Sequence, residues 1–267
     1  MKTNSVAPNI IKKRKMKKEV DLMNYIAPIT VFVVLFIGLE VIARTSGISR
    51  FILPPPTDII YQTATKFPTD LLPHFLFTFK VIGIGLLIAT SLGLGLAALF
   101  SQFNILVKSV TPVVIWLVIT PMITLIPLLM LWLGTDPNVR MIVVIIQATP
   151  IITLNTLTGF TNVETDKLEL AKSVGATKLQ AFTKITFMNA MPQVFTGIKL
   201  GCIFSIIGAI SADFVAGTVG MGFRIIQYTK YNMTELTYGC ILIIGIIGIT
   251  LYTLVSYIEK RVVLWKN

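Results

Sequence analysis

Side chains capable of covalent or metal chemistry are few in this sequence, and their spacing matches no known catalytic motif. There is one histidine, His74, and there are two cysteines, Cys202 and Cys240. A zinc site would need a second histidine or a cysteine cluster, and neither a G-x-S-x-G elbow nor an H-E-x-x-H helix occurs. A phosphate-binding loop, G-x-x-x-x-G-K-[ST], is also missing from the sequence. We therefore predict a chain that is not an enzyme and holds no metal or cofactor.

The elements that carry these residues are predicted to lie in a membrane. Of the 267 residues, 54% are apolar and 13% are charged, and the mean hydropathy is +0.82. Soluble chains contain about 25% charged residues. A bilayer core about 30 Å thick needs roughly 20 apolar residues in a helix. Six largely apolar runs approach or exceed this length: 25–42, 79–100, 110–133, 141–160, 195–217 and 237–258.

These runs are too long and too uniformly apolar for barrel strands, so helices are the expected structure. We predict an all-α membrane protein with six transmembrane helices, the first an uncleaved anchor. Pro112, Pro121 and Pro127 predict a kink in the third helix. Cys202 and Cys240 stand near the starts of the fifth and sixth runs, at opposite depths if these helices are antiparallel. No disulfide is expected between them.

Basic residues are concentrated in three segments that six spans would place on one side of the membrane. These segments are the arm 1–24, the stretch 161–192 and the tail 259–267. Because Lys and Arg favour cytoplasmic loops, both termini are predicted to be cytoplasmic, with 43–74 as an external segment. The basic cluster at 12–18 is explained by topology and by attraction to anionic lipid, and not by nucleic acid.

The stretch 161–192 carries local signals for two short helices. Asp166 and Glu169 form a capping-box pattern, and Gly175 stands where a left-handed helix end favours glycine. A second capping-box pattern starts at Thr177, and this helix is expected to stop near Pro192. Each helix would have an apolar face: Leu168, Ala171 and Val174 on the first, and Leu179, Phe182 and Ile185 on the second. Such faces fit either a docking partner or the end of the bundle itself.

The run 169–175, ELAKSVG, followed after nine residues by Ile185, resembles a known family signature. It is similar to the Glu-Ala-Ala, three residues, Gly, nine residues, Ile-x-Leu-Pro pattern of permease subunits of binding-protein-dependent ABC importers. Leu170 replaces the second alanine, and Phe187 and Met188 stand in place of Leu-Pro. The resemblance covers 75–258 and looks closest to the nitrate, sulfonate and taurine branch.

This resemblance implies an ABC type-1 importer permease bundle over 75–258, with 161–192 as its coupling loop to a separate cytoplasmic ATPase. That subunit would bind ATP and magnesium. The coupling residues implied are Glu169, Ala171, Gly175, Leu168, Val174 and Ile185. A permease homodimer in a prokaryotic cell membrane would import a small solute delivered by an external binding protein. Sulfonate, taurine, nitrate and a vitamin precursor such as a pyrimidine are the solutes left open.

Small residues recur every four positions on two of the predicted helices, a spacing typical of close packing in lipid. They are Gly85, Ala89, Gly93 and Ala97 on the second helix, and Gly197, Gly201, Ser205 and Ala209 on the fifth. Four residues further lies Asp213, an acid inside an apolar run. By resemblance, Asp213 with Gly217, Gly220 and Gly222 gates or lines the translocation path. Alternatively, Asp213 is a helix-end acid paired with Arg224.

Other classes of polytopic membrane protein remain alternatives. A secondary active transporter would need carboxylates or ion ligands in several helices and usually an inverted repeat. Only Asp213 qualifies, and no repeat is evident. An intramembrane enzyme would need paired polar groups at depth, and a scaffold would not need a doubly capped loop. Glu40, His74 and Lys80 are interpreted as interfacial groups.

Overall fold

The computed structural model describes residues 7–134, 136 and 138–266, and the side chains of 26–134, 136, 138–215 and 217–265. Residues 1–6 of the predicted arm and residue 267 of the predicted tail lie outside the described residues. Throughout the described part, every regular element is a helix. The chain divides into two units, Met1–Gln62 and Thr63–Asn267. The all-α prediction is confirmed.

The first unit contains a long helix and the start of a second one. Helix α1 spans Ala7–Thr45, and its apolar part, Ile26–Thr45, corresponds to the predicted first span. Helix α2 spans Pro56–Lys66 and begins with a proline, whose missing N–H costs nothing at a first helical position. The predicted external segment 43–74 is therefore largely helical.

A carboxylate of α1 caps the start of α2. Glu40 accepts a hydrogen bond from the backbone N–H of Thr57 (3.0 Å) and one from its hydroxyl (2.7 Å). Arg44, one turn after Glu40, pairs with it at 2.5 Å and also reaches Asp58 at 3.5 Å. Negative charge at a helix N-terminus is stabilising. Glu40 was interpreted as an interfacial group, but its carboxylate has a defined structural role. It joins α1 to the start of α2.

The second unit is a bundle around one central helix. A π-turn, Phe67–Leu71, leads into α3, which spans Leu72–Ser101. The other long helices are α6 (Asn138–Thr161), α9 (Phe187–Ala216) and α11 (Thr234–Val262). Helix α6 packs closely against both α3 and α9. Among the described residues, five continuous helices are long and apolar enough to cross a membrane, or six if one bent pair counts as a span.

Both stripes of small residues pack against α6. A Cβ added at Gly85 would lie 2.6 Å from Val144 Cγ1, and one at Gly93 would lie 2.8 Å from Ile152 Cγ2. From the other side, a Cβ at Gly201 would lie 2.7 Å from Ile152 Cδ1. Ala89, Ala97, Ser205 and Ala209 are also buried, and a Cβ added at Gly197 would lie 3.0 Å from Asn155 Cβ. Larger side chains at these positions would push the helices apart.

The bent pair is the predicted third span. Helix α4 covers Asn104–Ile119 and α5 covers Met122–Leu133, and the two are bent by 94°. The break falls at Pro121, which stands at the N-cap of α5, whereas Pro112 and Pro127 lie inside helices. The kink was expected, but the single helix over 110–133 is wrong. A proline lacking an N–H at the break explains why the helical ladder ends there.

The stretch between α6 and α9 contains two short helices, as expected. Helix α7 spans Thr165–Ser173 and α8 spans Lys178–Ala181, and a π-turn, Phe182–Thr186, joins α8 to α9. The predicted capping box of α8 forms, with Thr177 and Gln180 exchanging bonds of 3.3 and 2.9 Å.

Two local predictions for this stretch are wrong. Asp166 does not cap α7, because the N-cap position falls on Glu164 and Asp166 lies in the first turn. The second helix does not stop near Pro192, which lies inside α9. Residues Lys178–Val215 instead form one continuous helical path. Prolines are tolerated in membrane helices because neighbouring groups satisfy the freed backbone carbonyl.

The two ends of the bundle are distinguished by the short helices they carry. Ala97, Leu157 and Ala190 cluster at the end where α7 and α8 lie, called here the α7 end. Helix α10, Met221–Lys230, follows α9 and marks the opposite, α10 end. Both cysteines are buried free thiols in the core between these ends.

Candidate functional site

Asp213 forms a buried ion pair with an arginine of the central helix. The two side chains are only 3% and 2% exposed, and Arg140 Nε lies 3.4 Å from Asp213 Oδ1. The guanidinium of Arg140 also stands 5.0 Å from the centre of the Phe77 ring. Phe77 belongs to α3, Arg140 to α6 and Asp213 to α9. One charged pair therefore contacts all three packed helices at the α10 end.

The turn between α9 and α10 is folded around the Asp213 carboxylate. The N–H of Gly222 donates to Asp213 Oδ2 at 3.2 Å, and the Thr78 hydroxyl approaches the same oxygen at 3.5 Å. Thr78 in turn accepts the N–H of Met221 at 2.8 Å. The N–H of Gly220 donates to His74 Nδ1 at 3.0 Å. Three successive amide groups of the turn are thus satisfied by side chains of α3 and α9.

The glycines of this turn leave no room for side chains. A Cβ at Gly220 would lie 2.2 Å from Asp213 Oδ2, and one at Gly222 would lie 2.6 Å from Asp213 Cβ. Gly220 also has a backbone φ of +119°, a conformation that residues with a side chain rarely adopt. At Gly217 a Cβ would lie 2.1 Å from the Asp213 carbonyl oxygen. The structure therefore brings together all four residues predicted for the gate or path.

Arg224 belongs to a neighbouring cluster and does not pair with Asp213. It forms an ion pair with Asp70, whose carboxylate also accepts the Tyr228 hydroxyl. Burial, helped by this hydrogen bond to Asp70, raises the pKa of Tyr228 above its ordinary value. The alternative that paired Asp213 with Arg224 is wrong, because Arg140 occupies that place. The second cluster fastens α10 to the π-turn that precedes α3.

The Asp213 cluster is built to position helices and not to react. Both carboxylate oxygens have partners within the fold, and the pair has almost no contact with solvent. Across the described residues, no group of three or more His, Cys, Asp or Glu side chains could hold a metal ion. The arrangement can fix the ends of α3, α6, α9 and α10 relative to one another.

At the opposite end, α7 rests on the bundle through one face and exposes the other. Ala171 is 4% exposed and Leu168 is half-buried, whereas Glu169 and Val174 are exposed, the latter at 75%. Of the predicted second face, Leu179 is exposed, while Phe182 packs against Phe160 and Ile185 is half-buried. The six residues predicted to couple are therefore divided between the bundle surface and solvent.

Gly175 ends α7 as the sequence pattern predicted. Its φ is +75°, and its N–H bonds to the carbonyl oxygen of Lys172 at 3.0 Å. The N–H of Ala176 reaches the carbonyl oxygen of Ala171, also at 3.0 Å. Paired bonds of this kind close a helix end and require a left-handed residue. Helix α7 is thus capped before the chain turns into α8.

A second buried charged pair, which the sequence pattern did not predict, joins two of the membrane helices. Lys199 of α9 forms an ion pair with Glu259 of α11, and both side chains are largely buried. The signal was present, because Lys199 lies in the predicted fifth span, where an isolated charge is costly. Arg140 lies just before the predicted fourth span, 141–160, where a basic residue is ordinarily a flanking charge of the membrane surface. Its position two residues into α6 gave no hint of a partner in α9.

An all-helical bundle with five or six apolar spans among its described residues, and with the short helix α7 partly exposed between two of them, is the architecture of a polytopic membrane protein. The family described as "Binding-protein-dependent transport system inner membrane component" matches residues 82–264. The chain belongs to this family. It is the permease subunit of an ABC importer, a multi-pass protein of the plasma membrane, and not an enzyme. Importers of this family work with an ATPase and a substrate-binding partner.

Curated relatives cover most of the chain. It is 25% identical to the formylaminopyrimidine transport permease protein ThiX of Halalkalibacterium halodurans, over 90% of this chain and 96% of that one. It is 24% identical to the putative aliphatic sulfonates transport permease protein SsuC of Bacillus subtilis, over 85% and 83%. The taurine transport system permease protein TauC of Escherichia coli is 21% identical, over 84% of each chain.

Solved structures share the fold. A chain of the MetNI methionine ABC transporter, in an inward-facing conformation, superposes with a TM-score of 0.57 at 18% identity. The match covers 72% of this chain and 94% of that one. An amino acid ABC transporter gives a TM-score of 0.58 at 18% identity, over 75% and 98%. The prediction of an ABC importer permease bundle is confirmed, and the secondary transporter alternative is set aside.

Proposed function

We propose that α7 is the element through which a separate ATPase drives this permease. The proposal is supported by the two faces of α7. One face is exposed, and the other packs on the bundle through Ala171. Leu170 and Val174 are 67% and 75% exposed, and an apolar surface of this kind is typical of a docking site. The coupling residues remain Glu169, Ala171, Gly175, Leu168, Val174 and Ile185. ATP and magnesium are bound by the partner and not by this chain.

The α7 end faces the cytoplasm in this proposal, together with both termini. The excess of Lys and Arg in 161–192 and in the terminal segments supports this orientation. An external substrate-binding protein then meets the α10 end, and two copies of the permease enclose one path. Anionic lipid contacts the basic arm.

Asp213 acts in this proposal as a gate-positioning residue of the α10 end. Its burial favours this role over direct contact with a solute. Gly217, Gly220 and Gly222 form the turn that the carboxylate holds. When the ATPase moves α7, the α10 end is expected to open or close as one body.

The transported solute is proposed to be small and polar. Relatives are named for formylaminopyrimidine, aliphatic sulfonates, taurine and nitrate. Sulfonate, taurine, nitrate and a pyrimidine precursor therefore all stay within the proposal. The external binding protein does most of the selection.

The coupling proposal is tested by co-purification of the ATPase with permease variants. Glu169→Arg reverses an exposed charge, and Gly175→Val places a branched side chain at φ +75°. Both should release the ATPase while membrane insertion stays normal. Gly47→Val is the matched control, because Gly47 also has a positive φ, of +69°, but lies in the first unit. Full retention of the ATPase by both α7 variants would contradict the proposal.

Orientation and energy source need separate measurements. A single exposed cysteine introduced at Leu170 should react with a membrane-impermeant reagent only after the cells are opened. Reaction in intact cells would refute the orientation. Uptake should stop when ATP is depleted while the ion gradient is maintained. Continued uptake would instead indicate a secondary transporter.

A further inference from the structure

His74 of α3 accepts a hydrogen bond from the turn that joins α9 to α10. The Gly220 N–H donates to His74 Nδ1 at 3.0 Å, and the imidazole stacks on the Phe223 ring, with the ring centres 6.1 Å apart. A ring nitrogen accepts a hydrogen bond only while it carries no proton. The contact therefore requires a neutral imidazole with its proton on Nε2.

Gly220 is also in close contact with the Asp213 carboxylate. Its φ is +119°, and a Cβ added there would lie 2.2 Å from Asp213 Oδ2. Asp213 itself is fixed by its ion pair with Arg140, at 3.4 Å. The backbone at Gly220 thus meets an imidazole of α3 and a carboxylate of α9. Its N–H cannot turn far from His74 without disturbing the contact with Asp213.

The surroundings of His74 disfavour its protonated form. Arg224 of α10 and Asp70 of the π-turn before α3 are the charged groups that act on the ring. The Asp70 carboxylate is already engaged by Arg224 and by the Tyr228 hydroxyl. His74 lies in the predicted external segment 43–74. Burial, together with the Arg224 cation, lowers the pKa of His74 from its ordinary value of 6.5, against the opposing effect of Asp70.

Protonation of His74 would remove this acceptor and put a donor in its place. The Nδ1–H and the Gly220 N–H would then point at each other, so the ring or the turn has to move. Gly220 is the N-cap of α10, and the next two amides along the chain are held by Thr78 and Asp213. Loss of the first of these three consecutive anchors would loosen the start of α10.

We propose that His74 is a positioning residue of the gate at the α10 end, and that it holds the turn 217–222 in place only while its imidazole is neutral. This inference rests on the proposed function, in which Asp213 and this turn form the gate. Because the α10 end faces the outside in that proposal, the proton that releases Gly220 comes from the external medium. Import is therefore expected to slow as the external pH falls below about 6.5.

The inference is tested with the complete importer in vesicles that hold ATP at a constant internal pH, while the external pH is lowered from about 7.5 to about 5. Uptake of labelled 4-aminopyrimidine, taurine, nitrate and methanesulfonate is measured, and the solute that the wild type imports is used for the variants. Hydrogen exchange of the turn 217–222 and the melting temperature are measured on the same complexes. These two measurements need no solute.

Two variants of His74 separate the acceptor from the ring. His74→Asn keeps an acceptor oxygen on the same branch of the side chain, and this oxygen does not titrate. His74→Phe keeps an aromatic ring beside Phe223 and removes the acceptor. Because His74 is the single histidine of the sequence, each variant serves as the control for the other.

Wild-type uptake should fall at least about fivefold over this pH range, whereas uptake by His74→Asn should stay nearly constant. His74→Phe should import slowly at every pH, at the level of the wild type in acid. Because the pKa of His74 is lowered in the folded protein, the melting advantage of the wild type over His74→Phe should be complete above pH 6.5 and should be lost progressively below it. Exchange of the turn, compared with His74→Asn at each pH, should rise over the same range.

Three results would contradict these expectations. A pH dependence that persists in His74→Asn would assign it to another group, such as Asp213, and would overturn the inference. Wild-type exchange of the turn that matches His74→Asn down to about pH 5 would overturn it as well. Uptake that continues without ATP would overturn the proposed function, and the gating role of His74 with it.

Discussion

Replacing Asp213 by asparagine tests whether the buried pair holds the α10 end together. Asparagine keeps the shape and one oxygen that can accept the Gly222 N–H, but it leaves the Arg140 cation without its carboxylate. Arg140 is 2% exposed, so water cannot replace the lost partner. Removing one member of a buried ion pair costs about 3–5 kcal/mol. For a domain of this size, that loss corresponds to a melting temperature lowered by roughly 10 °C.

The double variant Asp213→Asn with Arg140→Met separates pairing from packing. Methionine is apolar and can pack against Phe77, so the buried positive charge is removed along with the Asp213 carboxylate. The double variant should recover at least about half of the loss. Melting curves of the purified complex, taken at one heating rate, measure each variant. Asp136→Asn changes an exposed acid and keeps an oxygen that can accept the Asn138 N–H, now bonded at 2.7 Å, so it should lower the melting temperature far less.

Two results would refute this reasoning. A loss below about 1 kcal/mol in Asp213→Asn would mean that water or another group serves the arginine as well as the carboxylate does. Losses that simply add in the double variant would mean that the two residues act independently.

Three further predictions concern other contacts. Gly220→Ala should lower the melting temperature by several degrees, because the added methyl group would clash with Asp213 and the backbone φ would be strained. Gly38→Ala is the control and should leave the melting temperature unchanged, because a Cβ at Gly38 would lie in open space. Glu40→Ala should uncap α2, costing about 1 kcal/mol, and speed proteolysis between 46 and 55. Because the pKa of Tyr228 is raised in the folded protein, the protonated hydroxyl stabilises the fold fully below pH 10. This stabilisation is lost progressively as the pH rises above 10. The melting advantage of the wild type over Tyr228→Phe should therefore narrow as pH rises past 10.

The overall class could be predicted because it rests on local signals that add along the chain. Length of apolar runs, absence of a nucleotide loop and the signature at 169–175 each depend only on neighbouring residues. The cap at Gly175 and the capping box at Thr177 were found in the same way. Such signals need no knowledge of which helices meet.

The partner of Asp213 could not be predicted, because it depends on which helices pack together. Arg224 is 11 residues away along the chain and Arg140 is 73 away, yet the distant one makes the contact. The prediction that the second short helix stops near Pro192 was wrong for a related reason. The local penalty of a proline is known, but whether the surrounding bundle offsets it depends on tertiary contacts.

The unbroken helical path Lys178–Val215 has a geometrical consequence. Its 38 residues, at 1.5 Å each, extend about 57 Å from the cap at Thr177 to just beyond Asp213. A tilt of one degree about either end displaces the other by about 1 Å, roughly a third of a hydrogen-bond length. Small rotations at one membrane face are thus amplified into atomic rearrangements at the other without any relay of separate parts.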